Sequence, residues 1–253
     1  MVRWNRPPSP RVRLFCLPHA GGGAASYRQW GRYLPPDVEV IAFRLPGRET
    51  SYREPALTSI EPIVSTIVQE ATPLLDLPHV WFGHSMGSLL AFEVCRALRD
   101  LGPSEPAALL VSGRNAPHIP PHHPPVHKAA RSDLLARLRS LGGTPKALLD
   151  DPSVLPLLLP PLRADFTVVE SYEHRTGSPL EYPITVYNGT EDRETTPGGL
   201  AAWRDHTKSD CVVRSFPGGH FFLHDRPGEV LAALGRDLHS SIRTDTTERG
   251  TSK

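Results

Sequence analysis

The sequence has little of what marks a secreted, membrane-bound or nucleic-acid-binding chain. Only three cysteines, Cys16, Cys95 and Cys211, occur in 253 residues. An odd, scattered set excludes a disulfide framework and points to a reducing compartment. Two of them sit in strand-like runs and Cys95 on a helical one, where cysteine acts as a small buried apolar residue. Charge of one sign is not in excess either: 28 Lys and Arg face 27 Asp and Glu, a net +1. That excludes the concentrated positive field a nucleic-acid surface needs. No run approaches the roughly 18 apolar residues of a membrane span, and the opening MVRWNRPPSPR has no apolar signal stretch. The expectation is a cytoplasmic protein. Internal repeats and heptads are also missing, so a monomer is expected.

What is present suits one buried core. The chain is 39% hydrophobic and 22% charged, and a length near 250 residues is common for a single α/β domain. Short apolar, β-branched runs occupy 12–17, 38–43, 80–82, 107–112, 184–187 and 211–216. Between them lie longer amphipathic stretches. At 59–75 Ser59 stands at a capping position while Ile63, Ile67 and Ala71 recur on one face. Helical periodicity returns at 86–101, through Leu89, Phe92 and Leu98, and at 227–239. Alternation of this kind predicts an α/β fold: a mostly parallel central sheet flanked by helices on both faces. Ligands then bind beyond the carboxyl ends of the strands.

One stretch breaks the rhythm. Between about 115 and 180 no strand is evident, and prolines crowd 117–125 and 145–161. Amphipathic pieces at 132–141 and 162–172 predict a helical lid inserted over the upper edge of the sheet. Residues 1–240 are expected to form a single domain with this insertion. The polar, aperiodic residues 241–253 are expected to be a disordered tail.

The segment that carries chemistry reads Val80-Trp81-Phe82-Gly83-His84-Ser85-Met86-Gly87-Ser88. It is G-x-S-x-G between a strand and a helix, the setting of a nucleophile elbow. The turn lifts the Ser85 hydroxyl above the sheet, and glycines on either side let strand and helix close around it. The helix that follows directs its N-terminal dipole at developing negative charge. A serine needs a base oriented by an acid, and with this elbow the chain order is Ser, Asp or Glu, then His. His220, in the Gly-rich Pro217-Gly218-Gly219-His220-Phe221, is the candidate base, with His224 as rival. Asp192, just past the run at 184–187, is the candidate acid, with Glu191 and Glu194 as rivals. Two oxyanion donors are also required. The backbone N–H of Met86, after the nucleophile, supplies one; that of Ala20, in Leu17-Pro18-His19-Ala20-Gly21-Gly22-Gly23, is the candidate for the other. His19 is read as shaping that loop. The histidines at 118, 122, 123 and 127 lie among prolines that preclude i, i+4 ligand presentation, so no metal site is expected.

Five segments in order give a sharper reading: Leu17-Pro18-His19-Ala20-Gly21-Gly22, Leu45-Pro46-Gly47-Arg48-Glu49, Gly83-His84-Ser85-Met86-Gly87, Leu159-Pro160-Pro161-Leu162-Arg163-Ala164-Asp165-Phe166 and Gly218-Gly219-His220-Phe221-Phe222. Over about residues 10–240 the chain resembles the type II thioesterases of polyketide synthase and nonribosomal peptide synthetase systems, members of the α/β-hydrolase superfamily. The resemblance implies hydrolysis of acyl groups from the phosphopantetheine arm of acyl or peptidyl carrier proteins, an editing activity within antibiotic biosynthesis. It matches Ser85 to the nucleophile, Asp192 to the acid, His220 to the base, and the amides of Ala20 and Met86 to the oxyanion hole. No cofactor is implied, since the phosphopantetheine belongs to the carrier.

Three rival functions stand beside this one: a carboxylesterase or lipase acting on oxygen esters, a chain-terminating thioesterase that cyclises its product, and an inactive carrier-binding module on the same fold. Within the lid, Leu155, 157–159 and Phe166 are expected to line an acyl channel. Arg28, Arg48 and Arg163 are candidates for steering an acidic carrier.

Overall fold

The structure is a computed structural model that describes residues 1–102 and 104–250, with side chains described as far as residue 242. Seven strands form one sheet: β1 (Val2–Arg3), β2 (Val12–Leu17), β3 (Val38–Ala42), β4 (His79–His84), β5 (Ala108–Ser112), β6 (Ile184–Gly189) and β7 (Cys211–Phe216). Their spatial order is β1-β3-β2-β4-β5-β6-β7. All neighbours are parallel except β1, which runs antiparallel to β3 through Val2 opposite Ala42 and Arg3 opposite Ile41. The six longer strands coincide with the apolar runs read from the sequence. The two-residue edge strand β1 is too short to give a period-2 pattern and was not foreseen.

In β2 to β6 the runs are largely continuous rather than alternating because both faces of the sheet are covered there, whereas the edge strand β7 leaves Val212 and Val213 exposed. In β2, Phe15 and Leu17 join a core with α1 (Ile60–Ala71) and α2 (Met86–Leu101), while Val12, Leu14 and Cys16 join the opposite core with Tyr27 and Trp30. Ser59 occupies the N-cap of α1 with an extended backbone, but its hydroxyl makes no capping bond, contrary to expectation.

Three helices lie between β5 and β6: α3 (Arg131–Leu141), α4 (Lys146–Leu149) and α5 (Leu155–Glu170). Leu134, Leu138, Leu149, Leu162 and Phe166 give them a small core of their own. Helix α5 starts seven residues before the expected 162, because Pro156 stands in its first turn and Pro160 and Pro161 lie inside it. The short helices α6 (Pro197–Ala201) and α7 (Phe222–Asp225) follow β6 and β7. The last helix, α8 (Pro227–Gly250), covers the second face with Val230, Leu231, Leu234 and Leu238. Its backbone stays helical through 241–250, where a disordered tail was expected; 251–253 lie outside the described residues. Among the described residues no helix is long and apolar enough to cross a membrane.

This topology positions the site. Strands β2, β4, β5, β6 and β7 are mutually parallel, so the loops carrying Ala20, Ser85, Gly113, Asp192 and His220 all leave the same edge of the sheet.

Candidate active site

Ser85 joins β4 to α2 with φ 54° and ψ −113°. A non-glycine residue with positive φ costs on the order of 1–3 kcal/mol and persists only where its surroundings fix it. Here the Ser85 N–H donates to the Ser112 carbonyl at 2.8 Å. Buried Ser88 adds a second fastening: its Oγ lies 2.8 Å and 2.9 Å from the carbonyl oxygens of Gly83 and Ser112 and accepts the Ser112 N–H at 3.0 Å. The elbow glycines are there for room. A Cβ on Gly83 would strike the Gly87 carbonyl, and one on Gly87 would strike the carbonyl of Leu17.

The turn after β6 carries Asp192 and the loop after β7 carries His220. The imidazole Nδ1 stands 3.0 Å and 3.1 Å from the two carboxylate oxygens, with both side chains almost fully buried (7% and 0% exposed). Asp192 Oδ1 also accepts the Glu194 N–H at 2.9 Å. An ionised acid at Nδ1 fixes the proton there and leaves the Nε2 lone pair for the cavity. His220, Ser85 and Ala20 line the same cavity, of about 160 Å³. The rival residues go elsewhere. Glu194 forms a two-pronged ion pair with Arg137, Glu191 is exposed, and His224 packs its ring against His19 and Phe221.

Further imidazoles crowd the base. The rings of His84 and His220 are 4.9 Å apart, and His84 Nδ1 lies 3.0 Å from Ser112 Oγ. Burial holds His84 well below its ordinary pKa and, with His224, His220 and Arg48 adding repulsion, brings His19 down to about 3. Both are therefore neutral at physiological pH and place no like charge against an imidazolium formed at His220.

The cavity wall differs from the one expected. Phe166 lines it, together with Ile119, Leu138, Leu141, Val169 and Phe221. Leu155 is buried elsewhere, Leu157 is 77% exposed, and Leu158 and Leu159 pack on the core of the insertion. Polar groups enter too. Arg137, Glu194 and Arg114 contribute, and burial lowers Arg114 to about 10. Of the arginines proposed for steering, Arg28 is exposed. Arg48 is instead buried against Asp165, and the Arg163 guanidinium is taken up by the carbonyls of Val126, His127 and Ala129. The four clustered histidines turn to different partners: His118 to His206, His122 to the Arg193 carbonyl, His123 towards Glu194, and His127 to Glu170.

Sequence reasoning on single residues missed Ser88, Glu49 and Asp165, and read Arg48 as a steering charge. Each stands in or beside one of the five segments quoted above, which was the available signal. A carboxylate-oriented imidazole sharing a cavity with a strained serine at a helix N-terminus can take a hydroxyl proton and stabilise the charge that follows.

Known proteins are similar to this chain in sequence and fold. The thioesterase domain family model matches residues 12–238. The gramicidin S biosynthesis protein GrsT of Aneurinibacillus migulanus is 40% identical over 237 residues, 94% of this chain and 93% of that protein. Among solved structures, RedJ, a thioesterase of the prodiginine pathway in Streptomyces coelicolor, superposes with a TM-score of 0.85 at 34% identity, covering 91% of this chain and 87% of its own. BorB, the type II thioesterase of the borrelidin cluster, gives 0.85 at 33% identity, covering 94% and 96%.

Proposed function

The chain belongs to the thioesterase family, and from that premise we propose that it hydrolyses acyl groups from the phosphopantetheine arm of carrier proteins, as an editing enzyme of polyketide or nonribosomal peptide biosynthesis. The observation that carries the proposal is the buried Asp192–His220 pair opening on the cavity that Ser85 lines.

In this reading His220 Nε2 takes the Ser85 proton as Oγ attacks the thioester carbonyl. Asp192 stabilises the imidazolium, and the N–H groups of Ala20 and Met86 receive the charge on the carbonyl oxygen. Met86 is the first residue of α2, so its N–H has no partner within the helix. Collapse breaks the C–S bond, and the pantetheine sulfur leaves with the proton from His220. Water, deprotonated by His220, then attacks the acyl-serine and releases the free acid and Ser85. The steps draw on no cofactor. The enzyme works in the cytoplasm as a monomer and meets its carrier transiently.

The test loads a carrier protein with a short acyl group and follows release by mass spectrometry with wild type and Ser85→Ala. Release by wild type alone supports the proposal. Failure of both, with turnover of simple oxygen esters by wild type, would replace it with an esterase.

A further inference from the structure

The loop that carries Ala20 runs from the end of β2 to the 3₁₀ turn Ala24–Tyr27, and little within it fixes its shape. Its one internal bond joins the Gly22 N–H to the His19 carbonyl at 2.9 Å. Everything else that grips it comes from outside. The Gly21 N–H donates to Asp165 Oδ2 at 2.7 Å, and Arg48 Nη1 donates to the Gly22 carbonyl at 3.0 Å. Arg48 and Asp165 hold each other through two parallel bonds of 2.6 Å and 2.7 Å, and their side chains are only 9% and 1% exposed. The neighbouring Glu49, itself at φ 49°, accepts the N–H groups of Ala24 and Ala25 at 3.2 Å and 2.9 Å. Two successive residues of one loop thus grip the second half of another, at Gly22 and at Ala24–Ala25.

Asp165 belongs to neither loop. It lies on α5, 117 residues from Arg48 in sequence, and Leu162 of the same helix covers Gly21. A buried ion pair is a weak source of stability, since desolvating two charges offsets much of their attraction. What it supplies well is geometry: a planar fork against a carboxylate admits one arrangement. The geometry is spent on the Gly21 N–H and the Gly22 carbonyl, in the first and third peptide groups after Ala20.

We propose that Arg48 and Asp165 are positioning residues for the oxyanion hole: the pair fixes residues 21–22, and so the direction of the Ala20 N–H, and ties that direction to the seat of helix α5 over the site. The inference rests on the assignment of Ala20 as an oxyanion donor.

The main variant is Arg48→Met/Asp165→Leu. It removes both charges together and so leaves no lone buried ion, while freeing the Gly21 N–H and Gly22 carbonyl. Three quantities are measured: kcat and KM on an acyl-pantetheine thioester, affinity for an alkylboronic acid that forms a tetrahedral adduct on Ser85, and affinity for a thioether analogue that lacks the carbonyl. Loss of a whole oxyanion donor costs about 10²–10³ in kcat. The double variant is expected to lose about tenfold to a hundredfold in kcat and a similar factor in boronate affinity, with KM and thioether affinity within about twofold. A folded double variant with wild-type kcat and boronate affinity overturns the inference, as does an equal loss for boronate and thioether. Should it not fold, Arg48→Gln/Asp165→Asn, neutral on both sides and close in size, is judged by the same ratio. Ala20→Pro lacks the N–H itself and separates the two readings. If it retains kcat and boronate affinity, the oxyanion assignment fails and takes the inference with it. If it loses both while the ion-pair variant keeps both, only the positioning role fails.

Discussion

Ser85 is held in a conformation that serine does not favour, and the neighbouring side chain that secures it is Ser88. Ser88→Ala removes the hydroxyl that reaches the Gly83 and Ser112 carbonyls and shares the Ser112 N–H with the strand ladder. A buried hydrogen bond is worth about 0.5–1.5 kcal/mol net, so urea unfolding is expected to show a loss of that size, with a fall in kcat as the elbow relaxes. An unchanged kcat in a destabilised protein would show that the strain is fixed by the backbone alone. The acid can be separated from its neighbour two residues on. Asp192→Asn keeps the size of the group but no longer demands a proton on Nδ1, and kcat is expected to fall by about 10³–10⁴ with KM little changed. Glu194→Gln, which only weakens the pairing with Arg137, is expected to cost less than tenfold on the same substrate. Comparable losses in the two variants would remove Asp192 from the acid's role.

Among the elements, α5 runs against its own sequence. Pro160 and Pro161 deny hydrogen-bond donors to the carbonyls of Pro156 and Leu157 one turn earlier, yet the helix continues through them to Glu170. Its inner side explains why: Leu162 and Phe166 are buried in the insertion's core and Asp165 is locked to Arg48. Tertiary contacts outweigh local preference here, and that is why the first turns of α5 were not legible in the sequence. Replacing Pro160 with Ala is expected to raise stability by about 2 kcal/mol, the helix-interior penalty of proline less the entropy it removes from the unfolded chain. Urea midpoints of the two proteins test this; no gain would mean that the packing of α5 already absorbs the cost of Pro160. Five of the six longer strands were legible because they are buried on both faces and so read as largely apolar runs; the edge strand β7, with Val212 and Val213 exposed, was legible from its β-branched residues alone. Ser85, Asp192 and His220 were picked out because each follows a strand in the order Ser, acid, His, Ser85 within G-x-S-x-G and His220 after two glycines. The grip of Arg48 and Asp165 on the loop that carries Ala20 was not, because 117 residues separate two charges that look like ordinary surface groups. Composition likewise placed the acyl channel on Leu155, 157–159 and Phe166; of these Phe166 lines the cavity, and the rest of its apolar wall is drawn from 119, 138, 141, 169 and 221. A leucine-rich run does not say which of its faces turns inward.

At the scale of the whole molecule, a parallel sheet gathers the ends of five strands at one edge, and the histidines it buries set how the protein answers to acid. Burial lowers His79 and His206 to about 4 and His19 to about 3, and holds His84 well below its usual range. In the unfolded chain all four titrate near 6.5. Above that pH both states leave them neutral and they contribute nothing to the balance. Below it the unfolded chain takes up protons that the folded one refuses, so stability falls as pH drops. The loss continues to about pH 4 for His79 and His206 and to about pH 3 for His19. Each histidine contributes up to about 1.4 kcal/mol per pH unit within its window. The lowered carboxylates Asp76 and Asp151 add to the loss only near and below their ordinary range, around pH 4. The interval from 6.5 to 4.5 therefore reports the histidines. Urea midpoints measured across it are expected to decline steadily in the wild type and less steeply in His79→Gln, whose side chain stays neutral throughout. A flat wild-type profile would mean that these imidazoles reach water more readily than their burial implies. In that case His19 and His84 would carry charge beside His220, and thioester turnover would fail in mild acid before the fold does.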